Sequence, residues 1–99
     1  DEVVDLYQKG WSVTEIAESF GNQNKTVINH LWESIKDGQT IASEPLLAES
    51  HLLPDERERV LALFAQHGTD FLRPIYDALG ESVSWEELHV LRLYFVAKS

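Results

Sequence analysis

The stretch "GNQNKTVINHL" holds the residues best suited to chemistry in this chain. Gln23, Asn24, Lys25, Thr26 and Asn29 bring amide donors and acceptors, one hydroxyl and one ammonium. Those groups meet the base edges and phosphate oxygens of DNA: amides pair with purine edges, and lysine neutralises phosphate. The cluster also falls where a helix would begin, and free N–H groups at a helix start favour phosphate. Asn29 comes one turn after Lys25, so the two share a helix face. Glu33 lies on that face as well and opposes a polyanion.

Such residues need a joint that holds their helix out of the core. "SVTE" at residues 12–15 is a capping box, in which Ser12 and Glu15 satisfy each other's backbone N–H groups. It starts a short helix ending at Phe20 and Gly21. Ala17 is small enough to be crossed closely, and Gly21 tolerates the positive φ of a tight turn. Ile16 and Phe20 are expected to point inward. Val27, Leu31 and Ile35 form an i, i+4, i+8 stripe that would lock the next helix down as far as about residue 37. Together these features spell a helix-turn-helix. A preceding helix over residues 1–10 carries Val3, Leu6 and Tyr7 at helical spacing, with Lys9 in its last turn, and stops at Gly10.

The second half uses the same punctuation. "SEPLLAES" predicts one or two helical turns. "PDERERVLALFAQHG" has proline and acids first and His67 last, matching the helix dipole at both ends. "TDFLRPIYDALG" is helical only from about residue 73, because Pro74 cannot lie further inside. "SWEE" at residues 84–87 is a second capping box, opening a last helix to about residue 97. No stretch alternates with period two for long enough to make a strand, and "ESVS" is the only segment where a short extended piece would be no surprise. The expected fold is all-α with about six or seven helices: a tri-helical helix-turn-helix unit over 1–38 and a helical extension over 39–99 packed on it as a single compact domain.

Ninety-nine residues bound the chain to one domain, and a hydrophobic fraction of 43% fits a folded globule. There is no cysteine, so no disulfide, thiolate zinc site or cysteine nucleophile. There is no methionine either, which suggests a fragment of a longer intracellular protein. No apolar run approaches membrane length, so no membrane partner is expected. The net charge is −9. Residues 1–38 hold three lysines against seven acids, and residues 39–99 hold five basic residues against ten acids. Neither half is a basic module, and strong autonomous duplex binding is not expected of such a balance.

"LYQKGWSVTEIAESFGNQNKTVINHLWESIKDG" resembles the helix-turn-helix domain at the C-terminal end of RecQ-type (Werner-like) and related bacterial DNA helicases. The shared pattern is "LYQKG", then "S…EIA", then "TV..HL". The likeness continues into "LRPIYDALGESVSWEELHVLRLYFVA" and is weaker over 39–68. That tail separates the chain from LuxR-type response regulators, which share "TV.NHL" but end soon after it. One departure is Asn22, where the family usually has an apolar residue after the turn glycine. It predicts a less well anchored turn. The resemblance implies a non-catalytic accessory domain of an ATP-dependent helicase acting in DNA repair or recombination. Its partners would be DNA, held weakly, and the other domains of the parent, in a bacterial cytosol or nucleoid.

Two function classes remain open at this level: an auxiliary DNA contact, or a protein-interaction or dimerisation module that keeps a helix-turn-helix shape. The last helix is apolar on most sides, with Trp85, Leu88, Leu91 and Phe95 on one stripe and Val90, Leu93, Tyr94 and Ala97 on another. Leu93 and Tyr94 are the interface candidates for a second copy or a neighbouring domain. Trp11 and Trp32 are expected near the helix-turn-helix core, and His30 is expected to be partly buried. Glu86 and His89 stand at i, i+3, as in diiron bundles, but such bundles need the pair from two helices. No phosphate loop, serine elbow or zinc-protease helix is present, so neither catalysis nor a metal or other cofactor is expected.

Overall fold

Caps and turn glycines set the element boundaries. The computed structural model describes residues 2–98. Asp1, the first residue of the expected first helix, lies outside the described residues. Within them are seven α-helices and no strand: α1 Glu2–Gln8, α2 Val13–Phe20, α3 Asn24–Lys36, α4 Glu44–Leu47, α5 Pro54–His67, α6 Arg73–Ala78 and α7 Trp85–Lys98. Lys9 falls just past α1 rather than in its last turn.

The first capping box is complete. Glu15 N donates to Ser12 Oγ at 3.1 Å, and Ser12 N donates to Glu15 Oε1 at 2.9 Å. α2 closes with Gly21 at φ 66°, in the left-handed region. Gly21 N donates to Glu18 O, and Asn22 N donates to Ala17 O at 2.8 Å. These paired bonds satisfy carbonyls that the helix end leaves open. The turn is therefore anchored through the Asn22 backbone N–H.

The second capping box is only half made. Glu87 N donates to Ser84 Oγ at 3.2 Å, but the Glu87 carboxylate turns to another chain segment. It accepts from His51 N at 2.8 and 3.1 Å and from Ser50 Oγ at 3.3 Å. A charged acceptor on a backbone N–H is stronger than a neutral one, so the linker between α4 and α5 is pinned to the start of α7. α5 has a comparable device that sequence left unseen, with Leu53 N donating to Glu56 Oε1 at 3.2 Å.

Burial falls into two clusters. One gathers Val3, Val4 and Tyr7 of α1, Val13, Ile16 and Ala17 of α2, and Val27, Ile28 and Leu31 of α3 with Ile41 and Leu46. The other gathers Val60 and Phe64 of α5 with Leu72, Ile75, Leu79 and Val83. α7 belongs to both: Val90, Leu93 and Tyr94 enter the first, and Leu88 and Leu91 enter the second. That double duty explains why α7 is apolar on most sides. Each fully buried Leu or Val there contributes roughly 1.5–3 kcal/mol by leaving water.

The interface candidates are corrected by this packing. Leu93 has no exposed surface and Tyr94 is buried, both against this chain's own core, so neither offers itself to a second copy. Phe20, expected inward, is 39% exposed. α2 ends at Phe20, and Val13, Ile16 and Ala17 fill the core earlier along the helix. Ile35 is only partly buried, whereas Ile28, outside the expected stripe, is buried. The Tyr7 hydroxyl donates to Ala42 O and ties α1 to the segment after α3. Burial first, and then the Glu49 carboxylate, push the Tyr7 phenol up to about 12.

Candidate nucleic-acid interface

The packing of α3 decides which of its side chains remain available. At 100° per residue, Val27, Leu31 and Ser34 fall on one side, and all three are buried. Ser34 Oγ satisfies itself locally by donating to His30 O at 3.0 Å. Ile28 and Trp32 fall on a second side, towards α7. What remains outward is a stripe of Lys25, Asn29, Glu33 and Lys36, all exposed. Thr26 flanks it and is half-buried. Gln23, exposed just before the helix, occupies the cap position without a side-chain capping bond, so its amide is left to other partners. His30 is exposed rather than partly buried, because it falls on the outer side of α3 although its neighbour Leu31 points inward.

Asn24 is placed differently from the other contact candidates. Its Nδ2 donates to Thr14 Oγ1 at 3.1 Å and reaches Glu49 Oε1 at 3.5 Å. Thr14 Oγ1 donates in turn to the same Glu49 oxygen at 3.1 Å. Asn24 is exposed as well, but its amide clasps α2 and the segment after α4. The structure thus brings Lys25, Thr26 and Asn29 together beside Gln23 and ties up the Asn24 amide. On the outward stripe Glu33 pairs with Lys36 at 3.3 Å, both more than half exposed. Such a pair adds little stability, but it partly neutralises Lys36.

Beside this stripe runs a groove of about 550 Å³ between α3 and α7. Lys25 and Asn29 line it from α3 with Trp32, and Trp85, Glu86, His89 and Arg92 line it from α7. The Arg92 guanidinium lies over the Trp32 ring, its carbon 4.1 Å from the ring centre. That cation–π contact fixes both side chains. Arg92 Nη2 stands 3.4 Å from His89 Nδ1. Arginine has only donors, so a hydrogen bond here has Nδ1 as its acceptor. Burial, and secondarily the Arg92 charge, hold His89 below the ordinary imidazole range, which agrees. Burial also lowers the Arg92 pKa. Trp85 stacks on Tyr76 with ring centres 4.1 Å apart and planes 17° from parallel, yet stays 40% exposed.

Sequence reasoning missed this second wall. Trp85, His89 and Arg92 stand at i, i+4, i+7, a stripe of aromatic and basic residues in an otherwise apolar helix. The signal was present, but only packing shows that the stripe faces α3.

The joint at Gly21, the anchored α3 and its exposed polar stripe define a helix-turn-helix domain. Residues 1–92 match the family model described as a helix-turn-helix domain, and the chain belongs to that family. No curated protein and no solved structure matches it. Membership points to nucleic-acid binding in general. Among the described residues no helix is long and apolar enough to cross a membrane.

Proposed function

We propose that this domain is a non-catalytic accessory of a RecQ-like DNA helicase and makes an auxiliary contact with DNA through the outward stripe of α3. One observation carries the DNA contact: Lys25 and Asn29 are exposed on a helix whose other sides are anchored, with Gln23 and Thr26 beside them. Lys25 meets phosphate, and Asn29 is the amide best placed for a base edge. The helicase parent is supported by the resemblance of "LYQKG", "S…EIA" and "TV..HL" and of the "LRPIYDALG" tail to the RecQ-type domain. With a net charge of −9, the contact supplements an enzyme held on DNA by other parts.

The test is a titration of fluorescently labelled duplex with this domain at low and at moderate salt. Weak binding at low salt that fades as salt rises is the expected result. Asn29→Ala should weaken it by roughly 1–3 kcal/mol if a base edge is read. Absence of duplex binding even at low salt would turn the reading to a protein-interaction module on a helix-turn-helix scaffold.

A further inference from the structure

We propose that the groove between α3 and α7 holds one unpaired nucleotide, at a strand end or overhang of the DNA that α3 contacts. The inference rests on the DNA reading above and adds the kind of DNA preferred. Three observations point the same way. The groove is lined by Trp85, which stays 40% exposed beside its stack on Tyr76, and a base laid on it extends the stack. Lys25 and Arg92 flank it against the single acid Glu86, a local excess of positive charge on a chain of −9. Arg92 lines the groove with its guanidinium held over the Trp32 ring, so the cation is fixed in place at the groove wall.

An aromatic platform beside cations is how single-stranded nucleic acid is held: bases stack on indole faces while lysine and arginine meet the backbone. Duplex DNA does not account for the tryptophans. Its bases are stacked on one another, and only its phosphates could approach the groove. An unpaired nucleotide has a free π face, and its phosphate oxygens are acceptors for the Lys25 ammonium and the Arg92 guanidinium. The groove adjoins the outward stripe, with Lys25 and Asn29 common to both. A duplex on α3 therefore delivers its end to the groove without a second binding event.

The experiment compares a labelled blunt duplex with the same duplex carrying a short thymidine overhang, at one low salt concentration. The overhang should bind about five- to tenfold tighter, the low end of what one base–aromatic stack contributes. Trp85→Leu should remove most of that advantage while leaving blunt-duplex affinity in place, and Arg92→Gln should weaken overhang binding more than blunt-duplex binding. Both side chains also pack within the fold, so the second readout uses the Trp11→Phe chain, which keeps both groove tryptophans. Its emission should be quenched by the overhang and not by the blunt duplex. Equal affinity for both DNAs, an advantage that survives both substitutions, or no selective quenching would overturn the groove while leaving the α3 contact standing. Failure to bind either DNA would remove both.

Discussion

Tyr7 shows how a single side chain sets a measurable property. Its phenol is buried beside Glu49 and is pushed up to about 12, so the folded state prefers the neutral form. The unfolded chain titrates near 10. The contribution is therefore complete below about pH 10 and is lost as pH rises through 10 towards 12. The whole loss is of order 2–3 kcal/mol. Tyr7→Phe should flatten this alkaline limb while lowering stability near neutral pH by about 1 kcal/mol, through the Ala42 carbonyl left unpaired. Urea midpoints measured at about pH 8 and about pH 11 check both parts. An equally steep alkaline loss in the Phe variant would show that another group titrates. The outward placement of Lys25 and Asn29 was legible at this scale, because the helix period alone decides it. The clasp made by Asn24 was not, because its partners Thr14 and Glu49 lie 10 and 25 residues away.

Among the elements, the joint between α2 and α3 fixes where the outward stripe points. Gly21 sits at φ 66°, and a Cβ added there meets nothing within 4 Å. Any penalty for a side chain is thus backbone strain alone, roughly 1–2 kcal/mol for alanine. Gly21→Ala should lower Tm by several degrees, while Gly21→Asn should lower it less, since asparagine tolerates this conformation. Thermal melts of the two variants are the measurement, and identical losses would mean that conformation is not the cause. Such joints are legible because caps and turn glycines act over three or four residues; "SVTE" and the glycine at 21 suffice. The pairing of α3 with α7 was not legible. An all-round apolar helix does not say which side meets which neighbour, so Leu93 and Tyr94 looked free when they were core. The "SWEE" box read correctly as a helix start, but its Glu87 had a competing donor at His51 that no local rule reveals.

For the molecule as a whole, charge is the quantity that disciplines the account. A chain of −9 repels DNA in general, and the proposed contact rests on Lys25 at the start of α3, because Lys36 on the same stripe is paired with Glu33. Binding through that contact must be weak, salt-sensitive and responsive to single charges on α3. The most direct measurement is therefore the duplex affinity of Glu33→Lys and Lys25→Ala beside the unchanged chain, followed across salt concentrations. Glu33→Lys removes the acid in the middle of the stripe and frees Lys36, so it should tighten binding and steepen the salt dependence. Lys25→Ala should weaken binding to all sequences alike and flatten the salt slope by about one unit, the share of one phosphate contact. Affinity and slope unchanged in both variants would contradict the account, because α3 would then not be the surface that meets DNA.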